Sequence, residues 1–273
     1  MATWWVQTAG RRVDYTFLGA GTLPPRWWSP YLRYSAPEDP MLVVETGSFG
    51  FRAYCTAMEG GRQDGASPRR EIRNSVAVEG ATSESALLGS VLAGWLGGQL
   101  RDGLRRVLTE DVAEPWLATR SAPPEVLDAL GGVIFAHQAP TAAPFRARRA
   151  VGPSASAEVR ARFVATAMEA ARAGEDGVFC LLNLLADPAD VLAVEFARIA
   201  ARCLILVEER CDDALPASLD PPSGGVDPST AGGRGAVRTP GHAPESPKSC
   251  LPLVVGGVLI LLAVAIIAVY VKR

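Results

Sequence analysis

Two histidines are the side chains in this chain of 273 residues that are best suited to act as a general base. His242 lies in a stretch rich in proline, glycine and serine, so a Cys–His or Ser–His dyad would have to use His137. The only serine near a nucleophile motif is Ser48, in Gly-Ser-Phe-Gly, one residue short of a Gly-x-Ser-x-Gly elbow. We therefore interpret His137 as an ordinary surface or core residue and expect no catalytic residues. A membrane-tethered hydrolase that uses His137 stays open as an alternative.

The cysteines predict neither a metal site nor a disulfide framework, because no Cys-x-x-Cys pair occurs and their spacing is irregular. They are Cys55, Cys180, Cys203, Cys211 and Cys250. Free thiols in a reducing compartment are the simpler interpretation. Gly19-Ala20-Gly21 lacks the third glycine of a dinucleotide loop, and no Walker A sequence occurs. A net charge of −2 predicts no nucleic-acid partner, and we expect no cofactor.

The strongest pattern in the sequence is an uncharged apolar run of 21 residues, whose end residues are Leu251 and Val271. A helix of that length is about 30 Å long, which is the thickness of the hydrocarbon core of a bilayer. Lys272 and Arg273 follow at once, so the run predicts a single-pass tail anchor spanning 250–273. Cys250 borders it and is a candidate for acylation.

The N-terminal bulk is expected in the cytosol or nucleoplasm, because residues 1–10 hold no apolar run of signal-peptide length. Residues 212–249 consist mainly of proline, glycine and serine and predict a disordered tether between the anchor and the folded part.

Short apolar runs predict strands at residues 3–6, 12–18, 42–45, 49–55, 75–79, 133–135 and 144–150. Leucine spacing predicts helix over 83–109, weakened by Gly94, Gly97 and Gly98, and a second helix opens at Ser156 and closes at Gly174. Residues 59–73 are expected to form a polar loop. Residues 177–211 predict a βαβ-like appendage, because two apolar runs flank an Asp-Pro helix start.

The order of several stretches resembles the membrane-anchored subunit of the herpesvirus nuclear egress complex. Asp14-Tyr15 among apolar residues is similar to that family's acidic-aromatic pair, and the run from Pro40 to Cys55 is similar to its strand–turn–strand. Asn74 before an apolar strand, residues 124–130, and Gly152-Pro153 before a basic-apolar helix follow in the same order, ahead of the tail anchor. The resemblance covers most of 1–174. The chain departs from the family pattern because it leaves no room for a helix before the first strand.

The resemblance implies an α+β fold, with curved antiparallel β-sheets and flanking helices over 1–176, plus the C-terminal transmembrane helix. It implies a protein that is not an enzyme and that sits in the host inner nuclear membrane, with its domain in the nucleoplasm and its C-terminus in the perinuclear space. The implied partner is the soluble nuclear egress lamina protein. The heterodimers would form a hexagonal, membrane-bending coat that drives primary envelopment and nuclear exit of capsids. Recruitment of a viral kinase and contact with host lamins are implied as well.

Two sets of site residues follow. Asp14 and Tyr15 are the candidates for the partner surface, on the strength of the resemblance. Arg146, Arg148 and Arg149 form a small basic cluster that we expect to contact anionic lipid headgroups, a solvated strand edge being the other interpretation. The alternative function is a tail-anchored adaptor or apoptosis regulator of the mitochondrial or endoplasmic reticulum membrane, which an all-helical domain with a hydrophobic groove would favour.

Overall fold

The computed structural model describes residues 2–10, 13–19, 22–34, 39–63, 71–154, 156–182 and 200–207. These residues build a mixed α/β fold in which helices pack on a large sheet. The strands are β1 (Thr3–Thr8), β2 (Thr16–Gly19), β3 (Leu42–Gly47), β4 (Gly50–Gln63), β5 (Glu71–Gly80), β6 (Arg149–Pro153), β7 (Gly177–Leu182) and β8 (Arg202–Val207). The α-helices are α1 (Ser85–Leu96), α2 (Gln99–Val107), α3 (Glu110–Thr119), α4 (Pro124–Phe135) and α5 (Ala157–Ala173).

The eight strands form one sheet in the order β2-β1-β5-β4-β3-β7-β8-β6. The pairs from β2 to β7 are all antiparallel, whereas β8 runs parallel to both β7 and β6. Among the described strands, β2 and β6 are therefore the two edges of the sheet. Seven interstrand spacings of ~4.8 Å put those edges roughly 30 Å apart.

Alternate strand residues feed two separate cores, as the two-residue period of a strand requires. On β3, Leu42 and Val44 join the core that contains apolar residues of all five named helices, while Val43 joins the other. The second core is built around Trp28 and Tyr31, beside a short 3₁₀ turn at Ser29–Tyr34. Both faces of the sheet are thus covered over its centre.

Helix α5 begins and ends where the sequence predicts. The Ser156 hydroxyl accepts a hydrogen bond from the Val159 N–H at 3.1 Å, which caps the first turn. Gly174 ends the helix with a φ of +64°, a conformation that costs glycine little. The predicted helix over 83–109 is two helices, α1 and α2, which separate at the glycine pair 97–98, where Gly98 has a φ of +79°.

The expected α+β class is confirmed at the level of a mixed fold with a mostly antiparallel sheet and several helices. The strand predicted at 133–135 is wrong, because those residues complete α4, where Val126, Leu130 and Ile134 recur every four residues. The polar loop predicted over 59–73 is also wrong at both ends, since β4 extends to Gln63 and β5 begins at Glu71.

The segment 177–211 is not an appendage over its described part. Strand β7 pairs with β3, and β8 lies between β7 and β6, so both are interior strands of the main sheet. The parallel β7–β8 pair agrees with the predicted βαβ-like order. The intervening residues 183–199 lie outside the described part.

The predicted tether at 212–249 and the predicted anchor at 250–273, with its ends Leu251 and Val271, lie outside the described residues. Among the helices that are described, none has the length and hydropathy needed to cross a bilayer.

Candidate functional site

Asp14 and Tyr15 stand immediately before the edge strand β2. The Asp14 carboxylate accepts a hydrogen bond from the N–H of the next residue, Tyr15, at 2.8 Å. The Tyr15 side chain is 41% exposed, and its hydroxyl accepts a hydrogen bond from the Arg73 N–H at 2.9 Å. Tyr15 is therefore a large exposed aromatic residue that is tied to the first residues of β5.

Arg73 also lines a cleft of about 390 Å³ at the same end of the sheet. Its floor comes from β4, and its walls come from the junction of α1 with α2 and from the first turn of α5. The lining residues include Met58, Glu59, Arg73, Trp95, Leu96, Arg101 and Arg160. An apolar surface with several cationic side chains is the type of site that binds an amphipathic, acidic ligand.

A strained bulge in β4 shapes the floor of this cleft. The pairing of β4 with β5 shifts register between Cys55 and Met58, and Ala57 there has a φ of +59°. The left-handed conformation costs alanine roughly 1 kcal/mol, and such residues concentrate at functional sites. The Ala57 carbonyl accepts a hydrogen bond from Arg73 Nη1 at 3.4 Å, so the bulge holds the Arg73 side chain at the cleft.

The charges around the cleft are unbalanced toward positive. Glu59 is 3.6 Å from Arg73 but also 3.0 Å from Arg105, which it shares with Glu71. Arg101 contacts Asp102 at 2.9 Å, and this carboxylate raises the pKa of the arginine. Arg160 donates through Nε to the Ser154 carbonyl at 2.7 Å and has no carboxylate partner within the described residues. Three arginines thus line the cleft against one lining glutamate.

A second hollow of about 450 Å³ adjoins the cleft and shares Leu96, Gly97 and Arg160 with it. Its remaining walls come from α1, from α5 and from the segment before β6. The two hollows together form one groove, which we call the arginine groove, that runs past the end of α1 and the start of α5.

The predicted lipid-contact residues lie at the β6 edge of the sheet, opposite the β2 edge where Asp14 and Tyr15 lie. Arg146, Arg148 and Arg149 are all exposed, while Phe145 and Ala147 between them are buried. The Arg148 carbonyl accepts a hydrogen bond from the Cys203 N–H at 2.7 Å, which fixes this segment beside β8. The structure therefore keeps the basic cluster together and separates it from Asp14 and Tyr15.

His137 lies against α1 at Gly94. A Cβ at Gly94 would be 2.1 Å from His137 Cδ2, so the imidazole fills the space above that glycine. Its Nε2 is buried and has no hydrogen-bond partner in the described part of the chain. The three described cysteines, Cys55, Cys180 and Cys203, are buried within the sheet, and burial raises the pKa of each thiol.

The other face of the sheet carries an aromatic cluster. Trp28 stacks on Tyr54 with ring centroids 4.2 Å apart, and the Arg52 guanidinium lies over Trp27 and Phe49. Arg52 forms an ion pair with Glu45, which also accepts a hydrogen bond from the Tyr31 hydroxyl at 2.7 Å. Burial and this carboxylate both raise the pKa of Tyr31. Only Phe49 of these rings is largely exposed, so the cluster chiefly supports the second core.

Sequence reasoning did not find the arginine groove. Its residues come from β4, β5, α1, α2 and α5, and no local spacing joins them. The glycine pair 97–98 between Trp95 and Arg101 was the available signal, because it marks a sharp break beside an aromatic and a cationic residue. Within the described residues, no group of three histidine, cysteine or acidic side chains could hold a metal ion.

Comparison of the chain with protein-family models, with curated proteins and with solved structures finds no match.

Proposed function

We propose that the chain is a tail-anchored viral nuclear egress protein. A single transmembrane helix over 251–271 holds it in the host inner nuclear membrane, with the folded domain in the nucleoplasm. The domain recruits the soluble nuclear egress lamina protein, and the heterodimers assemble into a coat that bends the membrane around a capsid. The protein acts by binding and assembly, without catalysis.

The observation that carries the proposal is the position of the two candidate surfaces on opposite edges of one sheet. Strand β6, next to the exposed Arg146 and Arg148, pairs with β8, and the chain continues from β8 toward 251–271. Strand β2, with Asp14 and Tyr15 before it, is the far edge. A domain tethered near β6 with arginines toward anionic lipid would present the β2 edge, roughly 30 Å away, to a partner.

An all-helical domain with a hydrophobic groove would favour the alternative, an adaptor of the mitochondrial or endoplasmic reticulum membrane. The described residues instead form an eight-stranded sheet with a groove rich in arginine. The described residues therefore lack the all-helical domain that would favour the adaptor.

The first experiment follows the tagged full-length chain in cells, alone and with the lamina protein that the same genome encodes. We expect rim staining of the nucleus and movement of the partner from the nucleoplasm to that rim. Asp14→Ala combined with Tyr15→Ala should abolish the movement of the partner and leave the rim staining of the chain unchanged. Asp128→Ala, a change at an exposed position on α4, is the matched control.

Mitochondrial staining with no effect on the partner would overturn the proposal and favour the adaptor. Rim staining with normal recruitment by the double variant would keep the proposed location and remove Asp14 and Tyr15 from the interface. Tyr15→Phe separates the two roles of the tyrosine, because it keeps the exposed ring but loses the acceptor for the Arg73 N–H.

A further inference from the structure

We propose that the arginine groove is a docking site for an acidic amphipathic segment of a partner protein. The inference rests on the proposed function in so far as the domain binds a partner, and it adds the chemistry of the bound segment and the place where it binds. The segment would carry carboxylates toward Arg73, Arg101 and Arg160, and apolar side chains toward Trp95 and Leu96.

Charge complementarity selects an acidic occupant. Glu59 is shared by Arg73 and Arg105, and Arg101 pairs with Asp102 at 2.9 Å, so Arg160 is the arginine of the groove that no described carboxylate compensates. Arg160 is held by the carbonyl of Ser154, which fixes the guanidinium at the groove without compensating its charge. A guanidinium recognises a carboxylate through paired hydrogen bonds, and Arg is enriched where such recognition matters.

The apolar part of the lining selects an amphipathic occupant. Trp95 and Leu96 are only partly buried at the end of α1, and Met58 lies on the floor beside them. The adjoining hollow adds apolar surface from α1 and α5, including the partly buried Ala93 and Ala161. A helix or extended segment with apolar anchors every few residues uses a lining of this kind, because the anchors bury area while the charges fix the register.

The groove is continuous with the surface proposed for the partner. The Tyr15 hydroxyl accepts from the N–H of Arg73, and the side chain of Arg73 lines the groove. A partner that covers Tyr15 at the edge of the sheet could therefore continue into the groove without crossing a gap. A small-molecule substrate would leave this continuity unused.

The test uses the full-length chain reconstituted in lipid nanodiscs and a fluorescein-labelled synthetic helix with glutamates on one face and leucines on the other. Fluorescence anisotropy measures binding at low and high salt. We expect Arg101→Glu and Arg160→Glu each to weaken binding by about 5-fold, and the double variant to weaken it by about 20-fold or more. Arg106→Glu, the same charge change on α2 outside the groove, should change it by less than about 2-fold.

Several results would overturn the inference. Equal binding by Arg101→Glu and Arg106→Glu would do so, as would a glutamine-for-glutamate peptide that binds as tightly as the acidic one. Absence of binding until Glu208, Glu209, Asp212 and Asp213 are neutralised would assign the groove to this chain's own acidic stretch and not to a partner. Arg101 is exposed, so Arg101→Glu carries the test if Arg160→Glu fails to fold.

A failure of the groove inference is distinguishable from a failure of the proposed function, because peptide binding in nanodiscs is independent of the membrane that the chain selects in cells. Binding of the acidic helix together with mitochondrial staining would keep the groove and remove the egress role. Recruitment of the partner to the nuclear rim with no peptide binding would keep the egress role and remove the groove as a docking site.

Discussion

Buried thiols give this domain a dependence on pH that the surface residues do not predict. Cys203 lies on β8, wholly within the second core, and burial raises its pKa to about 12. An unfolded chain would ionise the same thiol near its ordinary value of 9.0. The folded state therefore favours the neutral thiol, and its stabilisation is complete below about pH 9 and is lost as the pH rises toward 12.

We expect the free energy of unfolding to fall by roughly 1 kcal/mol between pH 8 and pH 10 on account of Cys203 alone. Urea unfolding of residues 1–223, the larger of the two units into which the chain divides, measures this change. Cys203→Ala should be less stable at pH 8 but should lose less stability on going to pH 10. Leu204→Ala is the control, since it creates a cavity on the same strand and removes no thiol. The prediction would be contradicted if Cys203→Ala and Leu204→Ala lost the same free energy of unfolding between pH 8 and pH 10.

The features of the candidate sites that depend on neighbouring residues can be recognised in the sequence. Asp14 and Tyr15 stand out as an exposed acidic-aromatic pair, and the alternation of Phe145 and Ala147 with arginines gives the exposed basic cluster. The hydrogen bond between Tyr15 and Arg73 joins residues 58 positions apart in the chain. No local pattern contains such a pair, because the fold alone brings β2 and β5 to either side of β1.

The contact between α1 and the segment after α4 depends on one glycine. At Gly94 a Cβ would lie 2.1 Å from His137 Cδ2, so Gly94→Ala pushes the imidazole and its segment away from α1. We expect this variant to lose about 1–3 kcal/mol of stability, although alanine is the better helix former. Gly94→Ala with His137→Ala should recover part of the loss, and thermal unfolding measures both.

The matched control is Gly132→Ala on α4, where a Cβ would meet nothing within 4 Å. It should stabilise the domain by up to about 1 kcal/mol through helix propensity. A Gly94→Ala variant as stable as Gly132→Ala would show that α1 and the His137 segment do not pack as described. Retention of function by His137→Ala would in addition remove the hydrolase alternative.

Elements with a strong period were predictable, and those defined by distant pairing were not. The β1–β2 and β3–β4 pairs and α5 follow from local apolar runs, turn residues and caps. Strand β6 is only Arg149–Pro153 and contains Gly152 and Pro153, which weaken any strand signal. It becomes a strand because β8 pairs with it in parallel, and a parallel partner leaves no short-range trace in the sequence.

At the scale of the whole molecule, the sheet separates a basic edge from the edge that we propose for the partner. We expect Arg146→Glu with Arg148→Glu to weaken binding of residues 1–223 to phosphatidylserine vesicles by 10-fold or more, as about 1 kcal/mol per basic residue near an anionic surface implies. Vesicle flotation at low salt measures the effect.

The control is Arg106→Glu with Arg120→Glu, which makes the same change of net charge on α2 and at the end of α3. Helix α3 contacts β2, so Arg120 belongs to the opposite edge of the sheet. Equal loss in both double variants would mean that lipid senses net charge alone and that the β6 edge has no special role.

The position of β8 between β7 and β6 has a consequence for the order in which the domain is synthesised and folds. Strand β6 is made long before β8, yet among the described strands it pairs with β8 alone. Until the ribosome has delivered Val207, β7 exposes an unpaired edge and β6 lacks the one described strand that pairs with it. A nascent or truncated chain that stops before Arg202 is thus a template for pairing with other copies, and translational pausing in that interval should raise aggregation of this protein.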